Sequence, residues 1–409
     1  MKILLSAFAC KPNSGSETGV GWRWAIELAK YHEVVVLTDM TRKTAIEQEL
    51  MLHPLENLLV VFYRPVWLKW VPLNSTTAQF LYSAWQYSLL PFARHLHKEK
   101  KFDLIIHLTY GVFRHPSFLG FVGPAFVFGP VGGGEDTPWA LKYSLPVKEK
   151  VKELLRSLLN GLAIYNPFLR IALGRASLIL AKTEDTRCAL PHGMQNKTIV
   201  CSEIGIDKRT LKYEQDFYGR DVDLPLQVLF AGRMLGWKGA HFAIMAVAKA
   251  LGRGHRIHLT MVGSGPLLPW LKSLAIKLGI DNHVTWIGQI PQQDLFALYE
   301  RMHCFLFPSL HDSSGNVVLE ALSFGLPVIC LDVGGPVTIV NLKCARVIST
   351  KGKTEAVVVD VIADEVGYIA TNESARQSMA LEAISRARSM TWEKQIERNM
   401  LLVHERLGM

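Results

Sequence analysis

A chain of 409 residues, 49% of them hydrophobic, can bury the cores of two domains and is too apolar to be a disordered polyelectrolyte. Its 45 Lys and Arg against 36 Asp and Glu give a formal net charge of +9, which admits nucleic acid, a membrane surface or a phosphorylated ligand, so the position of the charge decides. The chain has no finger spacing, no aromatic RNA-binding signature and no single basic stripe, which removes nucleic acid as a partner; its six cysteines are scattered without C-x-x-C pairing and read as reduced core thiols.

In chain order, the apolar run of "MKILLSAFAC" is too short for a lipoprotein leader ending at Cys10 and reads as a buried first strand. "SGSETGVGW", Ser14 to Trp22, follows it and leads into the helical pattern "WRWAIELAK". Glycines there, Gly15 and Gly19 among them, let backbone approach a ligand, and the helix start favours an anion. The dinucleotide fingerprint fails because Trp24 stands at its third glycine position, which argues against a nicotinamide dehydrogenase. Glu17 is placed to bond sugar hydroxyls or to cap the helix.

The runs "EVVVLTD", "NLLVVFY", "FDLIIHLT", "AFVFG", "LILAKT" and "TIVCSE" continue the series as short apolar strands between helical patterns. No run reaches the roughly 18 apolar residues of a membrane span. Two segments concentrate positive charge. Phe62 to Lys101 mixes Arg64, Lys69, Arg94, Lys98, Lys100 and Lys101 with Trp67, Trp70, Tyr82, Trp85 and Tyr87, and "LKYSLPVKEKVKELLRSLLNGLAIYNPFLR" sets six basic residues against two acidic ones. Such segments form an interfacial face or a solvated helix face over core tryptophans; both readings stand. The missing span makes the chain soluble or peripheral, and the expected location is the cytoplasm, either free or peripheral on the inner face of the cell membrane.

A polar segment, Asp207 to Pro225, reads as a linker, after which "LQVLFAG", "IHLTMVG", "HVTWIG", "CFLFPS" and "PVICLDV" repeat the rhythm. Continuously apolar strands alternating with helices imply α/β units with parallel sheets covered on both faces. Two such series imply two Rossmann-like domains, and ligands are expected at the strands' carboxyl ends, in a cleft between the domains.

The loops after the second series carry the chemistry. "AGRMLGWKG" holds Arg233 and Lys238 around a Gly-rich turn, a fork and a point charge suited to diphosphate oxygens; it lacks the Gly-Lys-Ser/Thr of a Walker loop. An ordinary exposed strand-to-helix turn explains that motif equally well on its own. In "LHDSSG", followed by the helix "NVVLEALSF", the amides of Gly315, Asn316, Val317 and Val318 are expected to face a phosphate or a sugar hydroxyl. Asp312 lies beside that anion site. Glu320 falls about one turn into the helix, where an unpaired carboxylate is costly to bury and vicinal ribose hydroxyls would satisfy it.

"AGRMLGWKG", "VGSGP", the run from "VTWIGQIPQQDL" through "SLHDSSGNVVLEALSFGLPVICLDVGG", and the terminal "TWEKQIERNMLLVHERL" together resemble the C-terminal half of the family-four retaining glycosyltransferases, the glycosyl transferases group 1. "SGSETGVGWRWA", "HLTYGVFRHPSFLG" and "FVFGPVGGGEDTP" are similar to a branch of that family found in bacterial polysaccharide clusters. The resemblance implies a GT-B fold, two facing Rossmann-like domains at 1–206 and 207–390, with a helix at 391–409 crossing back to the first. It implies a nucleotide-sugar donor, a glycan or lipid-linked acceptor, no cofactor and no metal.

By residue, the resemblance assigns Arg233 and Lys238 to the donor diphosphate and Glu320 to the ribose. It puts Asp312 where the family carries a Glu near the donor sugar, and Thr338 where it often carries an acidic residue. His107, ending "FDLIIH", is the candidate for the family's catalytic histidine, though a lone strand-end histidine is more often structural. The loop Gly129 to Asp136, with Gly133 and Glu135, is the candidate for acceptor contact, as is Glu17. An anionic membrane surface is a further expected partner. A GT-B nucleotide-sugar epimerase and a non-catalytic nucleotide-sugar-binding protein stay open as alternatives.

Overall fold

The computed structural model describes residues 1–74, 77–212 and 224–409. It divides into two compact units, one of Met1–Gly134, Leu158–Ile204 and Trp392–Met409, the other of Glu135–Ser157 and Gly205–Thr391.

The first unit is built on a seven-stranded parallel sheet of β1 (Lys2–Ser6), β2 (Glu33–Asp39), β3 (Leu58–Tyr63), β4 (Leu104–His107), β5 (Ala125–Val131), β6 (Leu178–Ala181) and β7 (Thr198–Val200). Its order is β3-β2-β1-β4-β5-β6-β7. The central strands are buried at nearly every position, as expected of strands covered by helices on both faces. The strand order reverses between β1 and β4, so the loops leaving those two strands splay apart and leave room for a ligand. Aromatic rings of the helix Ala78–Lys100 fill the core: Trp85 is fully buried and donates from Nε1 to the Tyr63 carbonyl (2.9 Å), and Phe8 packs edge-on against Tyr82 and Trp85. Trp67 and Trp70 instead stay in solvent. The basic aromatic segment thus divides into core and surface.

The closing helix Trp392–Leu407 belongs to this unit. Its Gln395 and Asn399 amides donate to the Ile204 (3.1 Å) and Ser202 (2.9 Å) carbonyls.

The second unit holds a six-stranded parallel sheet, β10-β9-β8-β11-β12-β13. Its strands are β8 (Leu226–Ala231), β9 (Ile257–Val262), β10 (Val284–Ile287), β11 (Cys304–Phe307), β12 (Val328–Leu331) and β13 (Ala345–Ile348). The order reverses between β8 and β11. β13 was not expected from the sequence, because "ARVI" carries Arg346, which pairs with Glu365 at 3.4 Å and breaks the apolar run.

Two expectations change. The linker read at Asp207–Pro225 lies in large part outside the described residues. The segment Glu135–Ser157, read as part of the first domain, goes with the second unit, because its carboxylates bond that unit's loops, as described below. Five cysteines are buried; Cys188 is exposed.

Candidate functional site

The switch point of the second sheet brings together the two loops singled out from sequence. β8 runs into residues 232–239 and β11 into 308–315. The loops touch at Gly239, whose φ is +71°; a Cβ there would lie 1.9 Å from the Pro308 carbonyl oxygen, so only glycine allows the approach.

Lys238 reaches across this contact. Its ammonium bonds Asp312 Oδ2 and lies 4.4 Å from the Trp237 ring centroid and 5.1 Å from that of Phe307. The other Asp312 oxygen, Oδ1, accepts from the Ser314 (3.1 Å) and Gly315 (3.0 Å) amides. Burial pushes the Asp312 carboxyl up, but Lys238 and the two amides outweigh it, and the group sits below the usual carboxylate range. Arg233 is exposed, with no ion-pair partner among the described residues.

Two of the four amides expected to await an anion are therefore engaged: Gly315 with Asp312, and Val318 with the Gly315 carbonyl (2.9 Å). Asn316 and Val317 open the helix Asn316–Ser323. One turn on, Glu320 accepts from Gln292 Nε2 (2.6 Å) and Tyr299 Oη (3.4 Å). Burial pushes its carboxyl up to about 7, with both bonds restraining the rise.

The segment Glu135–Ser157 braces these loops from within the same unit. Ser313 Oγ donates to Glu135 (2.6 Å), the Gly236 amide to Glu149 (3.4 Å), and His311 Nε2 lies 3.0 Å from Glu153 while its ring stacks on Trp237 at 4.8 Å. Glu135, read as an acceptor-side residue, thus sits against the loop of Asp312. Glu149, Glu153 and His311 were missed by sequence reasoning. Their only signal is two glutamates one helical turn apart, opposite a row of leucines.

The remaining candidates lie in the first unit. Glu17 Oε1 accepts from the Gly111 amide (3.2 Å), joining the loops after β1 and β4 at that sheet's switch point. Gly15 caps the helix Ser16–Ala29 without a side-chain bond, and a Cβ on Gly19 would meet the Ser14 carbonyl at 2.0 Å. Gly133, with φ +92°, offers its carbonyl to Asn160 Nδ2 (2.8 Å).

His107 requires a correction. It is 1% exposed, with Nε2 3.1 Å from Tyr82 Oη, Nδ1 3.4 Å from Gln86 Nε2, and its ring stacked on Phe128. Burial, aided by His115, pushes its pKa down to about 3. A neutral ring with both nitrogens engaged is a core hydrogen-bonder, not a group that meets substrate. Among the described residues no cluster of three or more His, Cys, Asp or Glu side chains could hold a metal ion.

Residues 218–384 match the family glycosyl transferases group 1. D-inositol 3-phosphate glycosyltransferase from Corynebacterium efficiens is 29% identical over 183 residues, 42% of each chain. The chain spans less than half the length of the curated relatives it matches. Over nearly the whole chain the fold is that of sucrose-phosphate synthase from Thermosynechococcus elongatus (TM-score 0.65, 15% identity, 100% of this chain and 99% of that one). It is also that of Anabaena HepE, solved in complex with UDP (TM-score 0.61, 17% identity, 98% and 99%). Residues 218–384 are thus similar to the glycosyl transferases group 1 over about two fifths of the chain, and the two Rossmann-like sheets are those of the GT-B fold.

Proposed function

We propose that this chain is a retaining, metal-independent glycosyltransferase that moves a sugar from a nucleoside diphosphate sugar to a glycan or lipid-linked acceptor, in bacterial cell-surface polysaccharide synthesis. One observation carries the reading. At the switch point of the second sheet, Lys238, on the loop that also carries the exposed Arg233, meets Asp312 beside a helix start on the other loop, with Glu320 one turn beyond. Structures of HepE with UDP and with UDP-glucose support a uridine nucleotide as the first donor to test.

The chemistry follows from charge. As the anomeric bond breaks, negative charge grows on the leaving diphosphate, and Arg233, Lys238 and the Asn316 and Val317 amides would stabilise it most in the transition state. Lys238 leaves Asp312 for the diphosphate, which frees a carboxylate for the donor sugar's hydroxyls. Glu320, held by Gln292 and Tyr299, takes the ribose. Retention follows a same-face route in which the leaving phosphate helps to deprotonate the acceptor.

The test is product analysis by NMR with UDP-sugars and candidate glycan and lipid-linked acceptors. An α-linked product from an α-linked donor is expected; an inverted linkage would overturn the retaining assignment. Donor alone should undergo no conversion other than slow hydrolysis, whereas an epimerase would convert it. The Lys238–Asp312 pair also suits a non-catalytic nucleotide-sugar-binding protein, since it occupies both groups; that reading expects donor binding with neither transfer nor hydrolysis.

A further inference from the structure

The helix Val147–Ala163 is inside out. Its two buried residues are carboxylates, Glu149 and Glu153, which bond Lys152 (2.5 Å) and the Gly236 amide, and His311, respectively. Val147, Val151, Leu154, Leu155, Leu158 and Leu162 are each more than half exposed. At 3.6 residues per turn these six fall on one stripe about 100° wide, with the glutamates on the opposite side. Leucines turned to water forgo the burial that normally holds such a helix to its domain; here polar bonds do that instead.

Charge identifies what covers the stripe. Lys148 and Lys152 lie along one edge and Lys150 along the other, Lys148 and Lys152 being exposed. The helix's only acids face the protein, so its solvent side is positive, on a chain of net charge +9. Tyr143 and Tyr165 flank the helix in sequence and are both exposed. A largely apolar groove of about 820 Å³, lined by Trp139, Tyr143, Leu278 and others, shares Lys150 with the helix. An apolar stripe edged by lysines and bracketed by tyrosines matches the depth profile of a bilayer surface. A second copy would instead set like charges against each other.

We propose that the helix Val147–Ala163 is a membrane-docking face that lies in the headgroup region of an anionic bilayer. It deepens the lipid-side part of the function proposed above, and its stripe shares no residue with the donor site.

The test is flotation of the purified full chain with vesicles of phosphatidylglycerol and phosphatidylcholine, against phosphatidylcholine alone. The expected result is strong, salt-sensitive binding to the anionic vesicles and weak binding to the neutral ones. Leu154→Asp/Leu158→Asp and Lys148→Glu/Lys150→Glu should each lower partitioning by roughly tenfold or more, with the melting temperature and the UDP-sugar thermal shift unchanged. Equal binding by wild type and both variants, no binding by wild type, or a dimer that Leu154→Asp/Leu158→Asp dissociates would each overturn the proposal. The UDP-sugar shift, read on the same preparations, reports separately on the donor site.

Discussion

Asp312 holds Lys238 with one oxygen and two backbone amides with the other, so substitutions there separate charge from loop geometry. Asp312→Asn keeps an acceptor for the amides and strands the Lys238 ammonium, which should cost about 1–3 kcal/mol. A bound diphosphate would supply the missing partner. The variant should therefore melt lower than wild type without ligand and recover more on adding UDP; equal recovery would mean that Lys238 does not meet the phosphate. At Glu320 the signs run the other way. Its folded-state pKa of about 7 lies above the ordinary 4.5, so its stabilising contribution is present below the unfolded value and lost as pH rises through about 7. Glu320→Gln should gain stability relative to wild type between pH 5 and pH 8. The same variant should bind donor less tightly at pH 8, where the wild-type carboxylate is ionised and accepts ribose hydroxyls. Affinity measured at both pH values checks this, and a variant with unchanged affinity at pH 8 would remove Glu320 from the ribose. Both carboxylates were visible in the sequence from their spacing around a Ser-Gly turn. Their present partners, Lys238, Gln292 and Tyr299, were not paired with them, because side chains distant in the chain meet only through the strand order.

At the scale of elements, strands were the legible part. Twelve of the thirteen strands described follow apolar runs, because a parallel strand covered on both faces needs apolar side chains at nearly every position. β13 escaped through Arg346. The segment Glu135–Ser157 was misplaced for a related reason: sequence proximity put it in the first domain, whereas its glutamates bond loops more than eighty residues away, Gly236 and His311 among them. Glu153→Ala should uncouple the His311–Trp237 stack from its brace, at about 1–3 kcal/mol. UDP affinity should fall although residue 153 touches no proposed ligand atom, and Glu153→Gln, which can still bond His311, should recover most of it. Calorimetric titration of the three proteins decides; equal affinities would reduce the segment to packing.

For the whole molecule, two buried histidines and one partly buried histidine set the acid limit. Burial pushes His107 and His241 down to about 3, and burial with Arg114 pushes His115 to about 4. Each is neutral when folded and takes a proton on unfolding below its ordinary 6.5, so stability present above that value is lost as pH falls through it. The melting temperature should drop steadily from pH 7 to pH 5; a flat profile would mean that these rings are not buried in solution. The fold as a whole was legible because two runs of alternating strands and helices leave few alternatives. The site was legible only as far as its loops carry their own motifs: "AGRMLGWKG" and "HDSSGNVVLE" announced themselves, whereas His107 was misread because a strand's last residue can point to solvent or into the core. The central claim is that Arg233 and Lys238 at the second sheet's switch point hold a nucleoside diphosphate sugar, and calorimetric titration of UDP-sugars into wild type and Arg233→Ala tests it most directly. Saturable binding by wild type, weakened roughly tenfold to a hundredfold in the variant, is the predicted result, corresponding to about 1.5–3 kcal/mol of charge-assisted bonding; binding of equal affinity in both proteins would contradict it.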